Sequence, residues 1–397
     1  MESGRSARSR LFALIGSVLV LALGLAACGS SDDDTGGGET TSGTSAESTG
    51  GGGDTLAVAQ KQLDEAYAGR FTEPPSAPNP AAENKTVWFI SPGQASPNAA
   101  YGWKAYKQGA EAIGWTPQLY DAKLDPANFS IGIRQAVASG ADGIVTDAID
   151  CSLAKSALQE AKAAGVPTVT FLGFDCNEID PSEEALYTAP ISLGDRYKDW
   201  PDAFRAWGSD MAAWTIAVTD AEANVLNFTN TEYGIITNTV EGYSERMAEC
   251  DTCVTNDIQW VLAEAGTDTT NKVKDLLVKE PETNVVQDAL NPLLGFTNGV
   301  VQSGKTGEVK VVGGLGLPED FEAIQEEMGL TALGAWPFVW WAWAAIDTLN
   351  SHFNGKPVED SGLGWQMVDA ENNLPSGTDF ESPVDFEAAY LKRWGKG

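Results

Sequence analysis

The chain has 397 residues, with 56 acidic side chains, 25 basic ones and a single histidine, giving a formal net charge of −31 at pH 7. That balance argues against nucleic acid as a partner and against docking on anionic lipid, since both need a basic face, and one histidine argues against histidine-based zinc sites and Ser-His-Asp catalysis. A hydrophobic content of 43% with 13 tryptophans is ample for a buried core, and the length suits two or three domains.

Residues 1–27 read as a secretory signal: Arg5, Arg8 and Arg10 precede an apolar stretch from Leu11 to Leu25 that is short for a bilayer span. The sequence Leu25-Ala26-Ala27-Cys28-Gly29 resembles the lipobox of bacterial lipoproteins, which implies that Cys28 is lipidated and becomes the mature N-terminus. Residues 28–83 are expected to be the lipidated cysteine and a flexible tether. Gly, Ser, Thr, Asp and Glu dominate its first half and cannot bury enough apolar surface to offset ordering entropy. Residues 56–70 could form a short helix, and the prolines between Pro74 and Pro80 then interrupt regular structure.

From residue 84 onward strand and helix alternate. Short β-rich runs are expected at 86–91, 116–121, 142–146 and 166–171, with helices of about 14 residues between them. After a longer connection the alternation resumes, with strands at 224–229, 257–262, 283–289, 309–316 and 330–336 and an aromatic-rich amphipathic helix from Phe338 to Phe353. Such spacing predicts right-handed βαβ units and parallel sheets covered on both faces. Two successive halves suggest two lobes with a cleft at their strand C-termini. The glycines at 313, 314 and 316 lack the endings of a phosphate-binding loop, so they are read as a turn that lets backbone reach the cleft.

Residues 84–175 resemble the first lobe of the type I periplasmic binding proteins, in the ribose- and galactose-binding branch. The stretches carrying the resemblance are VWFIS with its polar loop, GIRQAVASGADGIVTDAID and AKAAGVPTVTF. VVQDALNPLLGFTNGV, KVVGGLG and TALGAWP follow the second lobe of that family in order. The resemblance implies an α/β fold of two Rossmann-like lobes with parallel sheets and a three-crossover hinge. The expected division is 84–190 plus 337–363 for the N-terminal lobe and 191–336 plus 364–397 for the C-terminal lobe.

The same resemblance implies a ligand site. The loop after the first strand offers Ser91, Asn98, Tyr101 and Trp103, the last reading equally as core. Asp147 follows the strand GIVT where the family often places a hydroxyl-binding aspartate; Asp150 fits the role of helix cap better, and Asp175 is a further candidate. In the second half Asp288 and Asn291 fall near the family's polar ligand group. Trp336 stands where many relatives carry a glutamine, as a stacking contact or a buried hinge residue. The family's second-lobe arginine is missing, with Asn238 as an uncharged substitute.

Four cysteines besides Cys28 suit two disulfides in an exported chain. Cys151 and Cys176 each follow a parallel strand, and Cys250 and Cys253 could close a local bridge; other pairings stay open. The expected function is an extracytoplasmic, membrane-anchored lipoprotein, a monomer without cofactor or metal. It would capture a neutral polyol or sugar, or a cationic solute, and deliver it to the permease of an ABC importer. A sensor presenting solute to a chemoreceptor or kinase is the alternative, followed by an exported carbohydrate-active enzyme using paired carboxylates.

Overall fold

The computed structural model describes residues 51–290 and 292–397. The signal peptide, Cys28 and the first part of the tether lie outside the described residues, as does Asn291. Among the described residues no helix is long and apolar enough to cross a membrane.

The first sheet holds β1 (Thr86–Ser91), β2 (Thr116–Asp121), β3 (Gly143–Asp147) and β4 (Thr168–Phe171), all parallel, in the order β2-β1-β3-β4. Its strands alternate between two packed faces, as a period of two requires. Val87 and Phe89 point to one apolar core with Tyr106 and Phe171. Trp88 and Ile90 point to the other, with Phe129, Ile133 and Leu158. Helices α2 (Pro97–Ile113), α3 (Ala127–Ala138) and α4 (Cys151–Ala163) connect the strands. The short α5 (Cys176–Ile179) follows β4.

Helix α6 (Trp200–Val218) leads into the second lobe. There β5 (Asn224–Thr229), α7 (Gly234–Met247), β6 (Val254–Gln259), α8 (Thr267–Lys279), β7 (Val285–Asp288), α9 (Phe296–Ser303), β8 (Lys310–Val312), α10 (Pro318–Gln325) and β9 (Ala332–Ala335) follow in turn. The chain then runs through α11 (Phe338–Phe353), β10 (Gln366–Asp369) and α12 (Phe386–Trp394). The second sheet has the order β10-β9-β8-β7-β5-β6, parallel except for β10 against β9. Helices α6 and α7 cross at two glycines. A Cβ on Gly208 would lie 1.9 Å from the Thr239 carbonyl oxygen, and one on Gly242 would lie 2.0 Å from that of Arg205, so only glycine permits this approach.

Three expectations about the termini change. Residues 51–83 are structured rather than a free tether: α1 (Gly51–Ala68) packs on α6 and β10 and buries Ala59, Leu63 and Ala66. The proline-rich run beyond it is pinned by backbone bonds from Arg70 to Trp365, Thr72 to Gly362, Asn79 to Arg393 and Ala81 to Trp394. The C-terminal segment 364–397 is divided between lobes. Its β10 joins the second sheet, but α12 packs on α11 and α2 beside the first, because Phe386, Tyr390 and Trp394 stack with Trp343 and Trp340. The three connections at 172–199, 336–337 and 354–365 are therefore joined by two more crossings, at 69–85 and 370–385.

Aromatic residues fill the region where these crossings meet. Trp200 and Trp341 stack at 4.9 Å, and Trp336 packs on Trp341 at 4.8 Å and on Trp365 at 5.0 Å. Asp210, 2% exposed, accepts from both Nε and Nη2 of Arg70, from Trp365 Nε1 and from Gln62 Nε2, tying α1 and the third crossing to α6. The four donors satisfy both oxygens of a side chain that has almost no access to water.

Candidate functional site

The loops at the C-terminal ends of both sheets line a cavity of about 330 Å³ between the lobes. Loops after β1 to β4 supply Pro92, Ser96, Asn98, Leu124, Asp147, Ala148 and Leu172. The opposing wall is built after β5 to β8 by Asn230, Tyr233, Ile235, Ile236, Trp260, Leu262, Leu290, Leu294 and Leu315. Strand C-termini converge here because parallel βαβ connections leave one open end per sheet, where side chains of successive loops meet. The volume is that of a small-solute site.

On the first lobe, three successive loops put a non-glycine residue in left-handed backbone at the cavity wall: Leu124 at φ 61°, Ala148 at φ 50° and Leu172 at φ 60°. Each conformation costs about 1–2 kcal/mol for an L-residue. Three of them on one wall mark a surface held in place by its surroundings. On the second lobe, positive φ at Gly313, Gly314 and Gly316 turns the chain after β8 and brings Leu315 to the wall, as expected of that glycine run. Asp320 secures the turn by accepting from the Gly316 and Leu317 N–H groups.

Asp147 is the single charged residue lining the cavity among the described residues. It is 3% exposed, its Oδ2 has no hydrogen-bond partner, and burial holds its carboxyl well above the usual range. Across the cleft, Trp260 is also buried and its Nε1 lacks an acceptor. Such groups are rare in a finished core, because leaving each unpaired forfeits its hydration. Asp150 sits at the N-cap of α4 without capping it. Its Oδ1 accepts from Phe174 N and its Oδ2 from Gly234 N at 3.2 Å, so it bridges to the first turn of α7 on the opposite lobe.

Of the residues expected to bind ligand, Asn98 and Asp147 line the cavity. Asp288 ends β7 fully buried behind the wall, where its neighbour Leu290 is the lining residue. The others are engaged elsewhere. Ser91 accepts from Gly93 N and Gln94 Nε2 and shapes its own loop. Tyr101 donates to Asp379 outside the cleft, and Trp103 packs on Phe89 and Tyr106. Asp175 caps α5 in a capping box and receives the Leu186 and Tyr187 N–H groups. Asn238 donates to Gly234 O one turn back in α7, and Trp336 is wholly buried in the aromatic hinge. Tyr233, Trp260, Leu290 and Leu315 were not anticipated; the strand-end rule that singled out Asp147 reaches them too, since each lies in the connection just beyond β5, β6, β7 or β8.

Disulfides join Cys151 to Cys176, across the loops after β3 and β4, and Cys250 to Cys253. Cys151, Cys176 and Asp175 lie close together, but the bridge leaves no thiolate there for a metal.

Residues 87–192 match the family model described as periplasmic binding protein domain. No curated protein matches the chain. Solved structures align over nearly their whole length. A sugar ABC transporter subunit from Rhodobacter sphaeroides is 17% identical, with a TM-score of 0.61 over 72% of this chain and 99% of that one. A solute-binding protein of an ABC transporter from Agrobacterium vitis, with bound allitol, is 18% identical, with a TM-score of 0.61 over 72% and 96%. A 5-methylthioribose transporter solute-binding protein from Thermotoga lettingae is 16% identical, with a TM-score of 0.62 over 82% and 95%. The fold is that of the type I periplasmic binding proteins.

Proposed function

We propose, from the premise of a type I periplasmic-binding-protein fold, that this chain is an extracytoplasmic solute receptor, anchored by a lipid on Cys28, that delivers a small uncharged ligand to the permease of an ABC importer. The observation that carries the reading is the cavity between the lobes, walled by loops from both sheets and holding a buried carboxyl group without a partner for one oxygen. Binding is the chemistry such a site supports: Asp147 accepts from, or when protonated donates to, a ligand hydroxyl, and the opposing wall completes enclosure. A ligand touching both lobes favours the closed arrangement only by its extra affinity for that arrangement, which is the signal a permease reads. The neighbour named as the solute-binding protein of an ABC transporter supports this reading. The high acidity favours neutral ligands over anions.

A panel of pentoses, hexoses and polyols titrated calorimetrically against the full chain tests capture. A binder is expected, and Asp147→Ala should weaken it at least tenfold without lowering the melting temperature, because an unpaired buried carboxyl adds nothing to the empty fold. Equal affinity in the variant would remove Asp147 from the site.

A further inference from the structure

We infer that the cleft takes an amphipathic solute, with one hydroxyl-bearing end at Asp147 and an apolar body against the second lobe, rather than an unsubstituted sugar or polyol. This rests on the solute-capture reading above and narrows its ligand class. The wall opposite Asp147 is formed mainly by Ile235, Ile236, Leu262, Leu290, Leu294 and Leu315. Of its polar members, Asn230 is already used: its Nδ2 donates to Glu232 and its Oδ1 accepts from the Glu232 N–H. That leaves the Tyr233 hydroxyl and Trp260 Nε1 to meet a ligand from this side.

A free hexose presents hydroxyls around its whole ring. Each one enclosed without a partner lowers affinity on the order of tenfold, so such a wall would select against it. An alkyl, thioalkyl or aryl substituent has no such requirement and gains by leaving water.

The first lobe agrees. Leu124 and Leu172 present apolar side chains to the same cavity from left-handed backbone. Among the lining residues, the buried side-chain atoms without a partner are Asp147 Oδ2 on one wall and Trp260 Nε1 on the other, a pattern fitted to a ligand with few polar groups.

The test compares matched pairs by titration calorimetry on the full chain: D-ribose with 5-methylthioribose, and D-glucose with phenyl β-D-glucoside. In each pair that binds, the substituted member is expected to bind at least tenfold more tightly, and Leu290→Ser should narrow that ratio. A parent sugar binding as tightly as its substituted partner would overturn the amphipathic class and leave solute capture standing. No binding by any member, with no small molecule released from the purified protein on denaturation, would overturn both.

Discussion

At the scale of single residues, the molecule keeps several acids in places that disfavour their charge. Besides Asp147, burial pushes the carboxyl of Glu178 up to about 7, despite the backbone N–H groups of Asp175 and Trp200 that bond to it. Burial likewise raises Asp320 to about 7 against the bonds from the turn at Gly316 and Leu317. The folded chain thus retains protons that the unfolded chain has released. Stability from these groups is fully present below the ordinary carboxylate range and is lost as pH rises toward 7, by up to about 3 kcal/mol per carboxyl. The urea midpoint is expected to fall between pH 5 and pH 7.5, and Glu178→Gln should flatten that slope. A midpoint that rises over the interval would contradict the assignment. These environments were not legible in the sequence, where Glu178 is one acid among 56. Asp147 was legible because its position after a strand fixes where its backbone emerges.

At the scale of elements, the parallel strands and their connecting helices follow from apolar periodicity and could be read directly. Helix α6 was not read: most of it is buried, including Trp200, Trp207 and Trp214, and only the narrow stripe of Asp202, Arg205 and Ser209 marks its outer face. The short helix over 56–70 was legible, but where α1 and α12 dock was not, because it depends on distant partners such as Arg70 with Asp210, 140 residues apart, and Trp394 with Asp347, 47 residues apart. The Asp150 bridge to the N-terminus of α7 is a contact between elements of the two lobes, and its loss is expected to favour opening. Removing a hydrogen bond of about 1 kcal/mol shifts the closed-to-open ratio several-fold. Small-angle scattering of Asp150→Ala should therefore give a larger radius of gyration than the native chain. Superimposable profiles would show that the bridge has no part in closure.

At the scale of the whole molecule, the two lobes share one aromatic hinge and five chain crossings, two of which come from terminal segments. Arg393 adds to this joint, pairing with Asp347 and Glu359 and donating to the Ala77 carbonyl of the proline-rich run. The large negative charge suits a solvated body outside the cell and a ligand that is not an anion. On the proposed function, a neutral solute is captured between the lobes through Asp147. Mass spectrometry of small molecules released on denaturing the native protein and Asp147→Ala, purified side by side from the same growth medium, tests it most directly. One neutral compound is expected in near-stoichiometric amount from the native chain, and its loss from the variant. Equal amounts from both, or none from either, would contradict it.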